Sequence, residues 1–398
     1  MRPKDHHHGL GLLHEMEDAK RAAVEEFCRV AGQPREAVLG STVLPLAGTV
    51  RRCYEEGDTM IRRVKEDDRL AEMMLLDGCF LLQFMVSMCP GDPGAQAEAD
   101  PFMSRPEVHG NIDAIARDVL LLENQIPWPV LQALMDLRPG VPVLKFLDRM
   151  ASAFDISNSG TNNPSPISAV DAESRTSQEP PPPPPPRHLF GLFHRRQVGA
   201  ARTESNRVPV LSSLGSTAVE LAEMGVKLTA SKTKKFGDMS MAKRRPGLAV
   251  FAELSLAPLV LNDLTACWLL NMVAYEASVS ATEADNFAVS SYVTLIALLI
   301  NREGDVQELR AKGIINSTMS DEATLAFFKW AARNLRVGHR YYDIFKRLHE
   351  YKQERWMWIA IHGFFYRNIK TIVAVLSAIG VLVGLFKAIL SLKQPNRG

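Results

Sequence analysis

The sequence has little cysteine, almost no net charge and none of the common catalytic signatures. Cys28, Cys53, Cys79, Cys89 and Cys267 are odd in number, scattered, and form no CxxC pair. That argues against a zinc site and a disulfide framework, and for a reducing compartment. Basic residues number 46 and acidic residues 45, a formal charge of +1. The electrostatic argument for a nucleic-acid partner is therefore absent. No secretory signal is read at the start, because the first thirty residues carry His6, His7, His8, Glu15, Glu17 and Asp18 and no apolar h-region. Three consecutive histidines do not by themselves make a ligand set, so no metal is assigned. There is no GxSxG elbow, HExxH, P-loop, kinase set or GxGxxG after a strand. The nearest string, "GLGLLH" at 9 to 14, lacks the third glycine. Neither an enzyme nor a cofactor is expected.

What is present is apolar sequence in helical period. Hydrophobic residues make up 46% of 398 positions, enough for a sizeable core. The expected fold class is mainly α: one large helical domain over 5–355, with a small hairpin or two-stranded patch after Gly225, and a C-terminal transmembrane helix. "RLAEMMLLDGCFLLQFMVSM" (69 to 88) is apolar around most of its circumference and reads as a central core helix. "SDEATLAFFKWAARNLR" opens on Ser320 and two acids, a good helix start.

Four polar residues sit in apolar surroundings. In "ARDVLLLENQIPWPVLQALM" (116 to 135), a helical wheel places Glu123 amid Ile112, Ile115, Ala116, Val119, Leu122 and Ile126. Pro127 disfavours helix at Ile126, so Glu123 is expected in the last turn, where the helix dipole repels an anion. Asp77 falls inside the apolar arc of 72–88, and Asn271 and Glu276 lie in the nearly all-apolar "LLNMVAYEA". Buried carboxylates must be paired, hydrogen-bonded or neutralised. The sharper reading joins Asp77 and Glu123 as a general-acid pair. The plainer one makes all four structural polar anchors, because no nucleophile, metal ligand or phosphate cradle accompanies them.

Between about 155 and 208 the composition turns polar and rich in Ser, Asn and Pro, ending in the seven prolines Pro180 to Pro186. A disordered insertion within one domain is expected, with the prolines as a polyproline II rod. Such rods also dock into SH3 or WW grooves. At the far end, "TIVAVLSAIGVLVGLF" (371 to 386) carries no charge. Sixteen helical residues reach about 24 Å; extension through Leu392 gives about 33 Å, enough to span a bilayer. Trp356, Trp358, Phe364, Phe365 and Tyr366, with Arg367 and Lys370, make 356–370 an aromatic and basic juxtamembrane segment before a 371–392 span. Gly380, Gly384 and Ala388 form a small-residue stripe, from which a homodimer through the membrane helix is expected.

Together these elements resemble the plant transmembrane family defined by domain of unknown function 247. The resemblance rests on "HHG" (7 to 9), "MEDAK" (16 to 20), "MMLLDGCFLLQFM" (73 to 85) and "DVLLLENQIPWPVL" (118 to 131). It continues through "AVELAEMGVKL" (218 to 228), "LNMVAYEA" (270 to 277), "SYVTLIALLINREGDVQELRAKGII" (291 to 315) and the C-terminal apolar segment. It implies a plant protein with a C-terminal membrane segment, without an established enzymatic activity, and with further sequence before the "HHG" element. Some grass members of that family are associated with self-incompatibility loci, and only this link suggests a recognition role.

The expected function is thus a non-catalytic membrane-anchored interaction, recognition or signalling module. Its partners would be the lipid bilayer, an unidentified protein and a second copy of the chain. The alternatives are an enzyme using Asp77 and Glu123, and a scaffold recruiting SH3- or WW-like proteins through Pro180 to Pro186. The expected location is the plasma membrane, single-pass, with the main domain cytoplasmic. Asn316-Ser317-Thr318 is a glycosylation sequon that would be used only if the domain were lumenal.

Overall fold

The computed structural model describes residues 6–54, 64, 66–89, 102, 104–155, 185–199, 216–244, 251–279, 287–354 and 356–393. Helices dominate, and the chain divides into two compact units. The first comprises Met1–Gly199 with Leu259–Asp285; the second comprises Ala200–Pro258 with Asn286–Gly398.

The first unit is built around the helix Asp67–Met88, the core helix expected from its apolar circumference. Leu70, Leu75, Cys79, Leu82, Phe84 and Met85 on it are all nearly or fully buried. It is also the one helix among the described residues long and apolar enough to cross a membrane, and 61% of its apolar window is buried inside the protein. The helices His6–Ala31, Trp128–Leu137 and Val143–Ala151 pack on it. Gly78 permits the closest approach. A Cβ there would stand 2.6 Å from Leu134 Cδ1. Aromatic rings continue the core, with Phe84 meeting Phe146 edge-on at 6.0 Å and Phe80 meeting Phe102 at 5.5 Å.

Two expectations fail in this unit. The helix expected to carry Glu123 spans only Ile112–Val119. The chain then makes a short 3-10 turn, Leu122–Asn124, and runs extended through Gln125 before the helix Trp128–Leu137. Past Val119, side chains replace backbone groups as hydrogen-bond partners, so the helical wheel does not extend to Glu123. Secondly, the polar stretch 155–208 is not disordered throughout. Residues 189–198 form the helix Leu189–Val198, with Leu189, Phe190, Phe193, His194 and Val198 buried. Averaging over the polar flanks hid a short apolar motif. Pro180 to Pro184 lie outside the described residues.

In the second unit the capping box of Thr217 and Glu220 starts the helix Ala218–Glu223. Gly225, at φ +80°, turns the chain into a strand. Strands β1 (Val226–Ala230), β2 (Ser240–Arg244) and β3 (Phe251–Leu256) form one sheet in the order β1-β3-β2. β3 is central, parallel to β1 and antiparallel to β2, with Leu254 facing both Leu228 and Met241. The expected hairpin is therefore part of a three-stranded mixed sheet. Alternation puts Val226, Leu228, Met241, Ala252, Leu254 and Leu256 on the buried face.

Asp305 is buried at the start of the helix Glu303–Ala311. It accepts the amides of Asn301 and Arg302, each at 3.0 Å, and that of Val219 at 3.2 Å. Burial pushes its carboxyl up, but these N–H groups and the Thr217 hydroxyl outweigh that and hold it below the usual carboxylate range. Ser320 caps the helix Asp321–Ala331 by accepting the Ala323 amide at 3.1 Å.

The chain closes with the helices His339–Glu354 and Trp356–Lys393. On the latter, Val373, Val375, Leu376, Ile379, Val381, Leu382, Val383, Leu385 and Phe386 are 50 to 64% exposed. Gly380 and Gly384 face open space, and the side chain of Ala388 lies outside the described residues.

Candidate functional site: an acidic-rimmed cleft beside a polar corner

The "LLENQIP" corner borders a cleft of about 620 Å³ in the first unit. Its floor is apolar, from Met73, Met74, Phe80, Leu81 and Ile115, and its rim carries Asp77, Asp118, Glu123 and Lys20. Asp77 and Glu123 thus line the same cleft, but they do not form a coupled acid pair. Asp77 Oδ1 meets Lys20 Nζ at 2.9 Å, and Lys20 also reaches Glu17 at 3.3 Å. Burial disfavours the Lys20 ammonium, but the two carboxylates outweigh it and raise its pKa. Glu123 is exposed and makes no hydrogen bond or ion pair among the described residues. Its assignment as a buried polar anchor is wrong, because the helix that would have buried it ends four residues earlier. Asp77 is only partly buried, on the cleft rim.

The anchor of the corner is Gln125. Its Nε2 donates to the carbonyls of Val119 at 2.9 Å and Leu121 at 2.7 Å, satisfying acceptors left over where the helix ends. Its Oε1 accepts the amide of Phe190 at 2.8 Å. The Tyr54 hydroxyl donates to its backbone carbonyl at 3.2 Å. Beside it, Trp128 N–H donates to Arg187 C=O at 2.8 Å, and Pro127 and His188 form a bridge. A sequence signal for Gln125 existed: an amide carries both donors and an acceptor, which suits a helix end next to a proline.

Asn271, half-buried, and Glu276 lie on the helix Asp263–Ser278. Asn271 Oδ1 accepts the Leu122 amide at 2.7 Å, fixing the 3-10 turn, while its Nδ2 donates to Cys267 C=O at 2.9 Å. Glu276, fully buried, meets His194 Nε2 at 3.0 Å. Around this pair stand the Tyr275 ring, 5.1 Å from His194, and His188, which meets Tyr275 edge-on at 5.6 Å. His188 caps the helix Leu189–Val198 by accepting the Gly191 amide on Nδ1 at 3.1 Å. Burial, helped by the Arg187 charge, pushes His188 down to about 4. It is neutral at physiological pH.

Four of the five thiols offer little reactivity, and Cys53 is exposed. Burial pushes those of Cys28, Cys79, Cys89 and Cys267 up, which favours the protonated, weakly nucleophilic form. Among the described residues, no group of three or more His, Cys, Asp or Glu is arranged to hold a metal. The side chains of His6 to His8 lie outside them.

These elements define a mainly α-helical protein with a small mixed sheet and a side-chain-locked helical corner over a cleft. The family described as plant protein of unknown function, DUF247, matches residues 3–383. The chain belongs to that family. A UPF0481 protein of Arabidopsis thaliana is 26% identical over 376 residues, covering 88% of this chain and 72% of the relative. No solved structure matches.

Proposed function

We propose that the protein is a non-catalytic, membrane-anchored interaction or signalling module. The observation that carries this reading is the exposed apolar face of the helix Trp356–Lys393. From Thr371 to Phe386 it bears no charge, and its Val, Leu, Ile and Phe side chains stand half or more exposed. Each such side chain gains roughly 1.5–3 kcal/mol on leaving water, so the stretch calls for an apolar phase around it. Within the helix Trp356–Lys393 the uncharged stretch is about 24 Å long, and its continuation through Leu392 reaches about 33 Å, which matches a bilayer core of about 30 Å. Against catalysis stand Lys20, which occupies Asp77, the solvent-facing Glu123 and the weakly nucleophilic thiols of Cys28, Cys79, Cys89 and Cys267. The cleft is then a surface for recognition, and a role of the kind linked to self-incompatibility rests on the family resemblance alone.

The anchor is tested by expressing the full chain in plant cells and washing membranes at alkaline carbonate. Retention in the pellet, lost on deletion of 371–393, is the expected result. Full release by carbonate would overturn the reading. Absence of glycan at Asn316 in the same preparation is expected if the body faces the cytoplasm at the plasma membrane.

A further inference from the structure

The exposed surface of the second unit carries its lysines unevenly. The loop after β1 reads Ser231-Lys232-Thr233-Lys234-Lys235, three lysines in four positions. Lys232 and Lys234 are exposed and Lys235 is partly so. The loop is anchored at both ends. Ser231 N–H donates to Leu256 C=O at 2.7 Å, and Phe236, only 2% exposed, packs edge-on against Tyr292 at 5.0 Å. Between these anchors Lys234 adopts φ +56°, a left-handed conformation that a lysine takes only when its surroundings impose it. The lysines are therefore displayed from a fixed loop.

The basic surface continues past the loop. Arg347 Nη1 donates to Met241 C=O on β2 at 2.9 Å, which places the helix His339–Glu354 along that strand. Lys346 and Arg347 are both exposed there. Among the described side chains, the acids along this surface are Asp238 and Glu350, both partly buried; Asp343, on the same helix as Lys346 and Arg347, has its side chain outside them. The helix that carries Lys346 and Arg347 directly precedes the helix Trp356–Lys393.

The distance to a bilayer is short. Phe364 is 60% exposed and Ile369 52% exposed, so one face of the long helix is open to solvent from Phe364 on. From there to Thr371, the first residue of the uncharged stretch, is seven residues, about 10 Å along the helix. That is close to the Debye length of about 8 Å at physiological salt. Headgroups flanking such a span therefore feel the charges on the unit's nearest face.

We propose that Lys232, Lys234, Lys235, Lys346 and Arg347 form a basic face that rests on the anionic headgroups of the membrane in which the C-terminal helix is anchored. The inference rests on the anchor proposed above. It adds an orientation: the sheet end bearing the 231–235 loop lies toward the lipid. Clustered basic residues beside a span are attracted to acidic lipids by their summed charge. They need no shaped pocket, in keeping with an exposed loop.

The test reconstitutes the full chain into vesicles of phosphatidylcholine alone, or with about 30% phosphatidylserine, and follows amide hydrogen exchange. Exchange across 232–235 should slow at least about threefold with the acidic lipid, and the difference should vanish in about 0.5 M salt. The same comparison on K232E/K234E/K235E should show no lipid dependence, while peptides from 303–311 exchange alike throughout. Equal exchange in both vesicles, with the unaltered chain resisting carbonate, overturns the basic face and leaves the anchor standing. A chain that carbonate removes overturns both. Slowing that persists in high salt also overturns the inference, since the contact would then not be electrostatic.

Discussion

The Phe190 amide donates to Gln125 Oε1 at 2.8 Å across 65 positions of chain. With the Trp128–Arg187 bond and the Pro127–His188 bridge, it ties the helix Leu189–Val198 to the corner after Val119. The same Gln125 side chain closes that corner by donating to Val119 and Leu121. One neutral amide therefore serves both the corner and the docking of the later helix.

Gln125→Ala removes both carbonyl donors and the Phe190 acceptor. At about 1 kcal/mol per hydrogen bond, a loss of about 2–3 kcal/mol is expected in urea unfolding of the detergent-solubilised chain. Glu123→Gln, two residues away, should change stability by less than about 0.5 kcal/mol. Equal effects would show that the carboxylate carries weight its exposure denies.

His188 makes stability pH-dependent in one direction. Its folded value, about 4, lies below the ordinary value of about 6.5. Its contribution is complete above about pH 6.5, where both states are neutral. It falls as pH drops, because the unfolded chain takes up the proton first, and it is gone below about 4. The total is about 3–3.5 kcal/mol. His188→Asn keeps a cap acceptor for Gly191 and should flatten this part of the stability–pH curve.

Gly78→Val should destabilise by about 1–3 kcal/mol, through overpacking against Leu134. Leu134→Ala alone should cost about 2–5 kcal/mol as a cavity. The double variant should cost less than the sum, and strict additivity in a double-mutant cycle would refute the contact as the cause.

Glu276→Leu strips His194 of a buried partner and should cost about 2–3 kcal/mol. Combined with His194→Leu, the cycle should give a coupling of at least about 1 kcal/mol, read from unfolding midpoints.

Much of the helical fold was legible because it follows from local periodicity. The burial of Asp67–Met88, the Ser320 cap and the break before Trp128 needed only residue spacing and backbone preference. Glu276 and Asn271 were legible as misplaced polar residues, although their partners His194 and Leu122 were not. The misreadings share one origin. Glu123 was placed by a wheel that assumed the helix continues; Leu189–Val198 was dissolved into the polar average of its neighbours. Asp305 gives no such signal, because a buried acid that satisfies backbone amides has no periodic signature.

By itself the sequence determined the helical class, the core helix, the uncharged C-terminal stretch and the family. These depend on composition and on side-chain order along one element. Only the tertiary structure decided that Gln125, and not Glu123, holds the corner, that β3 pairs with both β1 and β2, and that Asp77 belongs to Lys20. Those outcomes depend on which groups meet across distant stretches of chain. Hydrogen bonds and ion pairs of that range are set by packing geometry, which no local pattern encodes.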